Sequence, residues 1–554
     1  MQKLNKPPQK QKGVALILMA FIIGLGVSAY LLHALDPQRL RLEQEKKTLE
    51  SLNAAKQALI AWSVSHPLHP GQMPFPDRLE IVNPNYDGFS DCPPVGAAFS
   101  NPISYQLLIG QLPVFGQTLP CVIPLLGLGK DFRDAQGNRF WYAVSRNLVY
   151  DYEHAEAPVI NPGMINPNPI TGLYDSPPYQ RQIGTTAYPW LRVLDRNGTL
   201  ISDRVAAVII APSNPIGGQN RTALSPATEY LDTFKIGAIT YSNADYTKPD
   251  EDFIIGEDSR NIPISDTTFV QPYNFNDKLV YITIDELIAA LNNRAATEAS
   301  NLLKMYKAKT GQFPYAANLG VSLNNNISSP PNQQGALPID VTDTCGCTTF
   351  QSCSCNFNPI ISVTFTKNSG TWQNASLGCT ISGDKCTCTG AGSCIRSGIN
   401  FTCDGVGNCT TNQTGVNLFT YIIPSYVGMP TLTGACILAG GEIKCNDLGT
   451  FDLGLKQNSW FKQNFWQDYF YYQWSPTANL QAGGKMGISA LLVATGGAIV
   501  NLPFAIKGSP QIRPSNSIAD YLDSAENTDG NLIFDATNKQ KTSNYNDQAY
   551  IVAP

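Results

Sequence analysis

A chain of 554 residues is too long for one hydrophobic core and implies two or three domains. With 43% apolar and only 15% charged residues, it has a globular composition and a polar, largely uncharged, loop-rich exterior, which excludes a disordered or fibrous chain. The formal charge of −5 works against a surface built for phosphate backbones, so nucleic acid is disfavoured as a partner.

The chain opens with Lys3, Lys6, Lys10 and Lys12 and no acid, then Gly13, then an uncharged apolar stretch from Val14 to Leu35. As a helix this stretch would be about 30 Å long, enough to cross a bilayer core with its basic end left in the cytoplasm. A secretory signal has a shorter apolar region and a small-residue cleavage site, and the sequence entering Asp36-Pro37 has neither.

Lys12-Gly13 followed by a long aliphatic helix resembles the class III signal of type IV pilins and type II secretion pseudopilins. The resemblance implies that residues 1–13 are a leader and that a prepilin peptidase cuts between Gly13 and Val14 and methylates the new N-terminus. It also implies that 14–35 is a transmembrane and assembly helix. The protein would then be a single-pass protein of the bacterial inner membrane, N-terminus cytoplasmic and bulk periplasmic, before joining other pilins in a pilus or pseudopilus that reaches outside the cell. On hydropathy alone, an uncleaved signal anchor is the alternative. The family usually carries Glu at the fifth mature position. Here that residue is Leu18, a departure found in minor pilins and pseudopilins thought to cap a filament tip. Pro37 falls near the family's kinking proline. Loss of the leader removes four lysines, leaving 34 basic against 43 acidic residues, or −9.

From Arg39 to Ser65 the spacing of Leu49, Leu52, Ala55, Leu59 and Trp62 predicts an amphipathic helix, stopped by Pro67, Pro70, Pro74 and Pro76. Gly71-Gln-Met-Pro-Phe-Pro-Asp77 and the loop ending at Cys92 resemble the segment after the helix in a subset of large pilin-like proteins. Gln136-Gly137-Asn138 predicts a turn into a strand carrying Phe140, Tyr142 and Val144 on one face. Residues 151–190 read as loop. Asn197-Gly198 predicts the tip of a hairpin over 191–201, Val205–Ala211 a buried strand, and Phe275–Ile282 another.

The pattern then restarts. Thr283 and Glu286 form a capping box opening a helix with Leu287, Leu291, Ala295, Leu302 and Tyr306 on one side. Gly311-Gln-Phe-Pro-Tyr315 echoes Gly71-Gln-Met-Pro-Phe75, and Phe470–Ser475 echoes Phe140–Ser145. Ile488–Ala494 echoes Val205–Ala211, Asp520–Asp523 echoes Glu229–Asp232, and Asn544–Asp547 echoes Asn274–Asp277. Five landmarks in one order predict a tandem duplication: a pilin-like module at 36–282 and a second at 283–554. The expected fold is α+β, a long N-terminal transmembrane helix packed on an antiparallel sheet, followed by a second pilin-like module. A block at 340–450 interrupts that second copy.

This block holds twelve of the fourteen cysteines: Cys345, Cys347, Cys353, Cys355, Cys379, Cys386, Cys388, Cys394, Cys403, Cys409, Cys436 and Cys445. An even count outside the cytoplasm favours a disulfide-stapled β insertion, with Cys92 and Cys121 expected to pair in the first module. A cysteine-only zinc site is the other reading, but the spacing is Cys-x-Cys and His33, His66, His69 and His154 all lie elsewhere. No cofactor is expected. Calcium is the one alternative, with Asp87/Asp91 and Asp523/Glu526/Asp529 as candidates, although such acids more commonly serve turns. The aromatic run from Trp460 to Trp474 is either a stacking platform or core. No Gly-x-Ser-x-Gly, His-Glu-x-x-His or phosphate loop occurs, Ser382-Gly-Asp-Lys385 lacks the motifs that would accompany it, and no histidine follows His154. The expected function is therefore not enzymatic. It is a minor pilin or pseudopilin at a filament tip or priming position, presenting the cysteine-rich head for adhesion. The alternatives are a secretion pseudopilin contacting exported proteins and a DNA-uptake pilin.

Overall fold

A computed structural model describes residues 17–26, 37–79, 85–92, 105–116, 127–150, 158–164, 190–256, 275–310, 313–320 and 327–338. It also describes the strand backbones within 344–445, and 460–554 apart from 498, 500–510, 512–514, 536–541 and 543–544. Two compact units emerge. The first takes the described residues up to Ala61 with Pro74–Arg146 and Trp190–Ile282; the second takes Trp62–Met73, the described part of 147–189, and Thr283–Pro554.

In the first unit helix α1 (Pro37–Ser65) turns Leu52, Ala55 and Leu59 fully inward, while Leu49, expected on the same stripe, stays 44% exposed. Its polar side grips a turn, with Ser51 donating to the Arg133 carbonyl at 2.8 Å and Ala135 N–H to Thr48 Oγ1 at 3.1 Å. That turn is built by Asp134, whose Oδ1 accepts from the amides of Gln136 and Asn138, and by Gly137 at φ +90.

The sheet contains β1 (Ile109–Gln111), β2 (Trp141–Val144), β3 (Leu191–Asp195), β4 (Leu200–Ala211), β7 (Asp252–Ile255) and β8 (Lys278–Thr283). Between β4 and β7 lies a separate hairpin, β5 (Thr233–Ile236) and β6 (Ile239–Ser242). The order is β1-β2-β4-β3-β7, with β8 also on β4. Strand β4 is central, so its Val205–Ala211 run is buried on both faces, as a continuous apolar run requires. The β3–β4 hairpin closes at Gly198, φ +77, beneath an Asp195 carboxylate that accepts from the Asn197 and Thr199 amides.

The second unit repeats this plan. Helix α2 (Ile284–Thr310) starts at Thr283, whose hydroxyl accepts the Glu286 amide at 3.2 Å. It buries Leu287, Leu291, Ala295, Leu303 and Tyr306; Leu303 takes the inward place expected for Leu302. Arg294 on this helix lies over the Trp460 ring at 5.0 Å and donates to the carbonyls of Val64 and His66. The sheet runs β10 (Ile327–Asn332), β9 (Ala316–Ala317), β11 (Gln334–Ala336), β12 (Phe470–Trp474), β15 (Ala490–Ala494) and β17 (Gln548–Ala553). A smaller sheet holds β13 (Leu480–Ala482), β14 (Lys485–Ile488) and β16 (Ile533–Phe534).

Register is shared between the units. Tyr142 lies between Gly110 and Ile209, and Tyr472 between Gly335 and Leu492. Their hydroxyls donate to the carbonyls of Pro74 at 3.2 Å and Pro314 at 3.0 Å. The parallel pairings also correspond, Val193 opposite Phe253 and Ala482 opposite Phe534.

Three expectations are corrected. First, among the described residues no helix is long and apolar enough to cross a membrane. The apolar N-terminal stretch is described only as the helical residues 17–26, about 15 Å at 1.5 Å per residue, and α1 after it is rich in charge. A pilin-like transmembrane helix and a single-pass inner-membrane location are thus not what the structure gives. Second, the sheets are mixed rather than antiparallel. The long connection after β4 brings β7 back alongside β3 in parallel, and β16 does the same beside β13. Third, among the described side chains no bridge joining two cysteines is seen, so the expected disulfide framework is not found there. Cys92, the one cysteine whose side chain is described, is disulfide-bonded to a partner outside them.

The block at 340–450 consists of strands. Six from Thr344–Thr349 to Lys385–Cys388 form an antiparallel meander, followed by a two-stranded and a three-stranded sheet.

Candidate functional site

Two features built from the repeated sequence landmarks and distant loop residues stand out in the first unit: a carboxylate latch and, beside it, an aromatic cleft. The latch joins the start of β8 to the loop before β5. Asp232 N–H donates to Asp277 Oδ2 at 2.9 Å, while the amides of Asn276 and Asp277 donate to Asp232 Oδ2 at 2.7 and 3.2 Å. Gln219 Nε2 donates to Asp232 Oδ1 at 2.9 Å, Asn243 Nδ2 to Asp277 Oδ2 at 3.1 Å, and Ile254 N–H to Asn243 Oδ1 at 2.9 Å.

The second unit holds the same arrangement. Asp523 N–H donates to Asp547 Oδ2 and Asn546 N–H to Asp523 Oδ2, both at 2.7 Å. Gln511 Nε2 reaches Asp523 Oδ1, Asn527 Nδ2 reaches Asp547 Oδ2, and Asp535 N–H reaches Asn527 Oδ1, all at 2.9 Å. Asn276 and Asn546 each spend their side-chain amide on a carbonyl, Asn214 and Gly497, at 2.7 Å. Sequence matching found the Asp and Asn-Asp members. It missed Gln219 with Gln511 and Asn243 with Asn527, whose flanking residues share no pattern.

Burial pushes Asp232 up to about 6, against the hydrogen bonds it accepts and the nearby Arg221 charge. Burial, then the charge of Asp232, pushes Asp277 well above the usual carboxylate range. Arg221, reaching the carbonyls of Pro212, Ser213 and Tyr230, lies close enough to offset part of the charge. Such a pair fastens backbone.

The cleft has a volume of about 380 Å³. Its walls come from the loop after Asp77 (Arg78, Tyr86), from Gln106 before β1, from Gly110 on β1, and from Ala227 and Thr228 beside the latch. Trp141 of β2 and Tyr246 complete it. Trp141 is 1% exposed, meets Tyr86 edge-on at 5.6 Å and Tyr230 at 5.4 Å, and its indole N–H has no hydrogen-bond partner. Tyr246 is stacked on Tyr105 at 5.8 Å and donates to the Val144 carbonyl. Arg78 Nη2 donates to the Asp91 carbonyl at 2.9 Å, which holds the guanidinium in place. At the equivalent β12 position stands Tyr471, whose hydroxyl is bonded to Gln334 and Gln473 at 3.4 and 3.1 Å and whose ring is packed in a hydrophobic cluster.

Among the residues singled out from sequence, Gly13, Val14 and Cys121 lie outside the described residues, and Leu18 is on the helical segment 17–26, 60% exposed. Cys92 is buried. The twelve block cysteines fall on or between its strands, and their side chains are not described. The calcium candidates are spent on local bonds. Asp87 accepts from Phe89 N–H and Asp91 from Arg78 N–H. Asp523 belongs to the latch, Asp529 accepts from Asn531, and Glu526 lies on a one-turn helix capped by Ser524. Among the described residues no cluster of three or more His, Cys, Asp or Glu is placed to hold a metal ion. The aromatic run is core: Trp460, Phe461, Trp466 and Tyr469–Tyr472 are buried and pack on one another. The cleft itself had no sequence signal, because its lining is drawn from loops far apart in the chain.

No family model, curated protein or solved structure matches this chain.

Proposed function

We propose that the chain is a non-catalytic display subunit of a filament, a minor pilin or pseudopilin in type, built from two copies of one helix-and-sheet module. The observation that carries this reading is the placement of the cysteine-rich block. In the first unit residues 112–140 join the paired strands β1 and β2; in the second the far longer stretch 337–469, which holds the whole block, lies between the corresponding strands β11 and β12. A long insertion hung between two hydrogen-bonded strands of a latched sheet is well placed to present a binding surface on a rigid base. The Lys12-Gly13 signal supports membership of the pilin group. Seven large apolar side chains of the 17–26 segment are 57–71% exposed, which suits contact with other subunits.

Immunogold labelling of filaments sheared from cells tests the proposal, together with mass spectrometry of the chain recovered from them. The chain is expected in the filament fraction, beginning at a methylated Val14. A variant lacking the insertion is expected to remain in that fraction but to lose surface attachment. Its absence from sheared filaments, or an intact Met1, would overturn the reading. Retained attachment with lost protein export would assign it to secretion instead.

A further inference from the structure

We infer that Asn197 is the acceptor of an N-linked glycan, attached through its side-chain nitrogen at the tip of the β3–β4 hairpin. Asn-x-Thr is the acceptor pattern for N-glycosylation, and it serves where it stands exposed on a surface loop. The chain holds seven Asn-x-Ser/Thr triplets, and only Asp195-Arg-Asn197-Gly-Thr199 has an acid two residues before the Asn, which one class of transferase also reads. Asn197 and Thr199 are both exposed, on a turn that closes at Gly198, φ +77. The Asp195 carboxylate accepts both their backbone amides at 2.8 Å and hydrogen bonds to both their side chains, so the Asn amide and the Thr hydroxyl stand on one side of the turn. The surroundings give a glycan a surface to cover. Leu200 and Ile201 at the start of β4 are 47% and 45% exposed, and Ile239 at the tip of the β5–β6 hairpin is 57% exposed. The two hairpins adjoin, since a Cβ placed on Gly198 would lie 3.4 Å from Ile236 Cδ1 and 3.6 Å from Tyr241 Oη. The C–H faces of a sugar pack on such side chains while its hydroxyls keep to water.

In the reaction Asn197 Nδ2 attacks C1 of a sugar held on a pyrophosphate, either lipid-linked or nucleotide-linked. A C–N bond forms and the C1–O bond breaks. The pyrophosphate leaves with the electron pair, and one amide proton passes to a base of the transferase; nothing is oxidised or reduced. Other readings fit less well. Asn220-Arg-Thr222, the other triplet whose side chains are described, has Gly218 in the acid's place, and its Thr222 hydroxyl is tied to Ser225 Oγ at 2.9 Å. Spontaneous deamidation is a second reaction open to Asn-Gly, but the nitrogen that would attack, that of Gly198, is held in the turn by its bond to the Asp195 carbonyl at 2.9 Å. In the second unit the tip between β13 and β14 is Gly483-Gly484, which offers no side-chain amide. The inference does not depend on the filament reading.

The test is peptide mass spectrometry, with fragmentation that leaves side-chain groups attached, on the full chain purified from the cells that make it. Tryptic cuts at Arg192 and Arg204 bracket the site. The peptide between them is expected to carry a hexose- or hexosamine-based mass on Asn197. Asn197→Gln and Thr199→Ala are each expected to remove that mass entirely, whereas Thr199→Ser and Asn220→Gln keep it. Circular dichroism checks that each variant is folded. Unmodified chain made in a host without such transferases is then incubated with fractions of the source cells. A gain of the mass with membranes assigns a lipid-linked donor, and a gain with the soluble fraction and nucleotide sugars assigns a nucleotide-linked one; either supports the site. In the native chain, an Asn197 that is unmodified, or changed only to Asp by deamidation, overturns the inference. So does a glycan that persists on Asn197 in Thr199→Ala.

Discussion

Replacing Asp277 by Asn tests whether the latch is held by hydrogen bonds or by charge. Asp277 Oδ2 accepts from Asp232 N–H and Asn243 Nδ2, whereas its Oδ1 has no hydrogen-bond partner. An Asn with its carbonyl in the Oδ2 position keeps both bonds and places a neutral NH₂ where the idle oxygen was. Asp232 differs, since both of its oxygens accept, so Asp232→Asn turns an NH₂ toward either Gln219 Nε2 or the amides of Asn276 and Asp277.

The charge term has a definite sign. Asp232 is 4% exposed, and burial raises its pKa from 3.8 to about 6. Between those values the folded protein holds more protons than the unfolded chain. The latch is therefore most stable at the acid end and loses stability as pH rises through about 6, by about 3 kcal/mol in all at 1.36 kcal/mol per unit. Asp277, raised for the same reason, adds to that loss. In urea unfolding followed by tryptophan fluorescence, Asp277→Asn is expected to be at least as stable as wild type at pH 7.5. It should lose that advantage at pH 4. Asp232→Asn is expected to cost about 1–3 kcal/mol at both pH values. If Asp277→Asn were destabilised by more than about 1 kcal/mol at pH 7.5, or offset equally at both, the reasoning would fail.

Three further outcomes are expected. Asp77 is fully buried, is pushed up to about 6 by burial, and pairs with Arg139 at 2.9 Å. Arg139→Met should cost about 3–5 kcal/mol at pH 7.5 and clearly less at pH 5, where Asp77 takes up a proton, as read from urea midpoints. Tyr142→Phe and Tyr472→Phe each remove one buried hydroxyl bond to a proline carbonyl. Each should lower stability by about 1 kcal/mol, and because they lie in different units, the double variant should show the sum within about 0.5 kcal/mol. Gly110→Ala would drive a Cβ against the Asp77 carbonyl oxygen, closer than real Cβ atoms come. It should destabilise by about 1–3 kcal/mol and speed hydrogen exchange at β1.

Local chemistry was legible from sequence wherever a few adjacent residues decide the backbone. Asn197-Gly198 and Gly137 gave the turns, Thr283 the helix start, and the Val205–Ala211 run the central strand. The paired landmarks were read only as marks of duplication, and two of them supply the carboxylates of the latches. Helix faces were read less well: a one-residue shift moved the buried position from Leu302 to Leu303, because packing against the sheet, not the average spacing, selects the face. The parallel pairing of β7 with β3 depends on where a long connection returns, which no periodicity records. The cleft escaped notice altogether. Arg78, Tyr86, Trp141 and Tyr246 become neighbours only when the sheet closes.

Two sheets of one register in one polypeptide carry a kinetic hazard. Either closing strand, β8 or β17, offers a similar backbone ladder and the same Asn-Asp lead-in to the gap beside either central strand. Cross-pairing of the copies is thus a misfolding route open to this chain during synthesis. Both strands bury their second and fifth residues, Leu279 and Ile282 in one and Ala549 and Val552 in the other, so the bulk at these two positions is what differs between the copies.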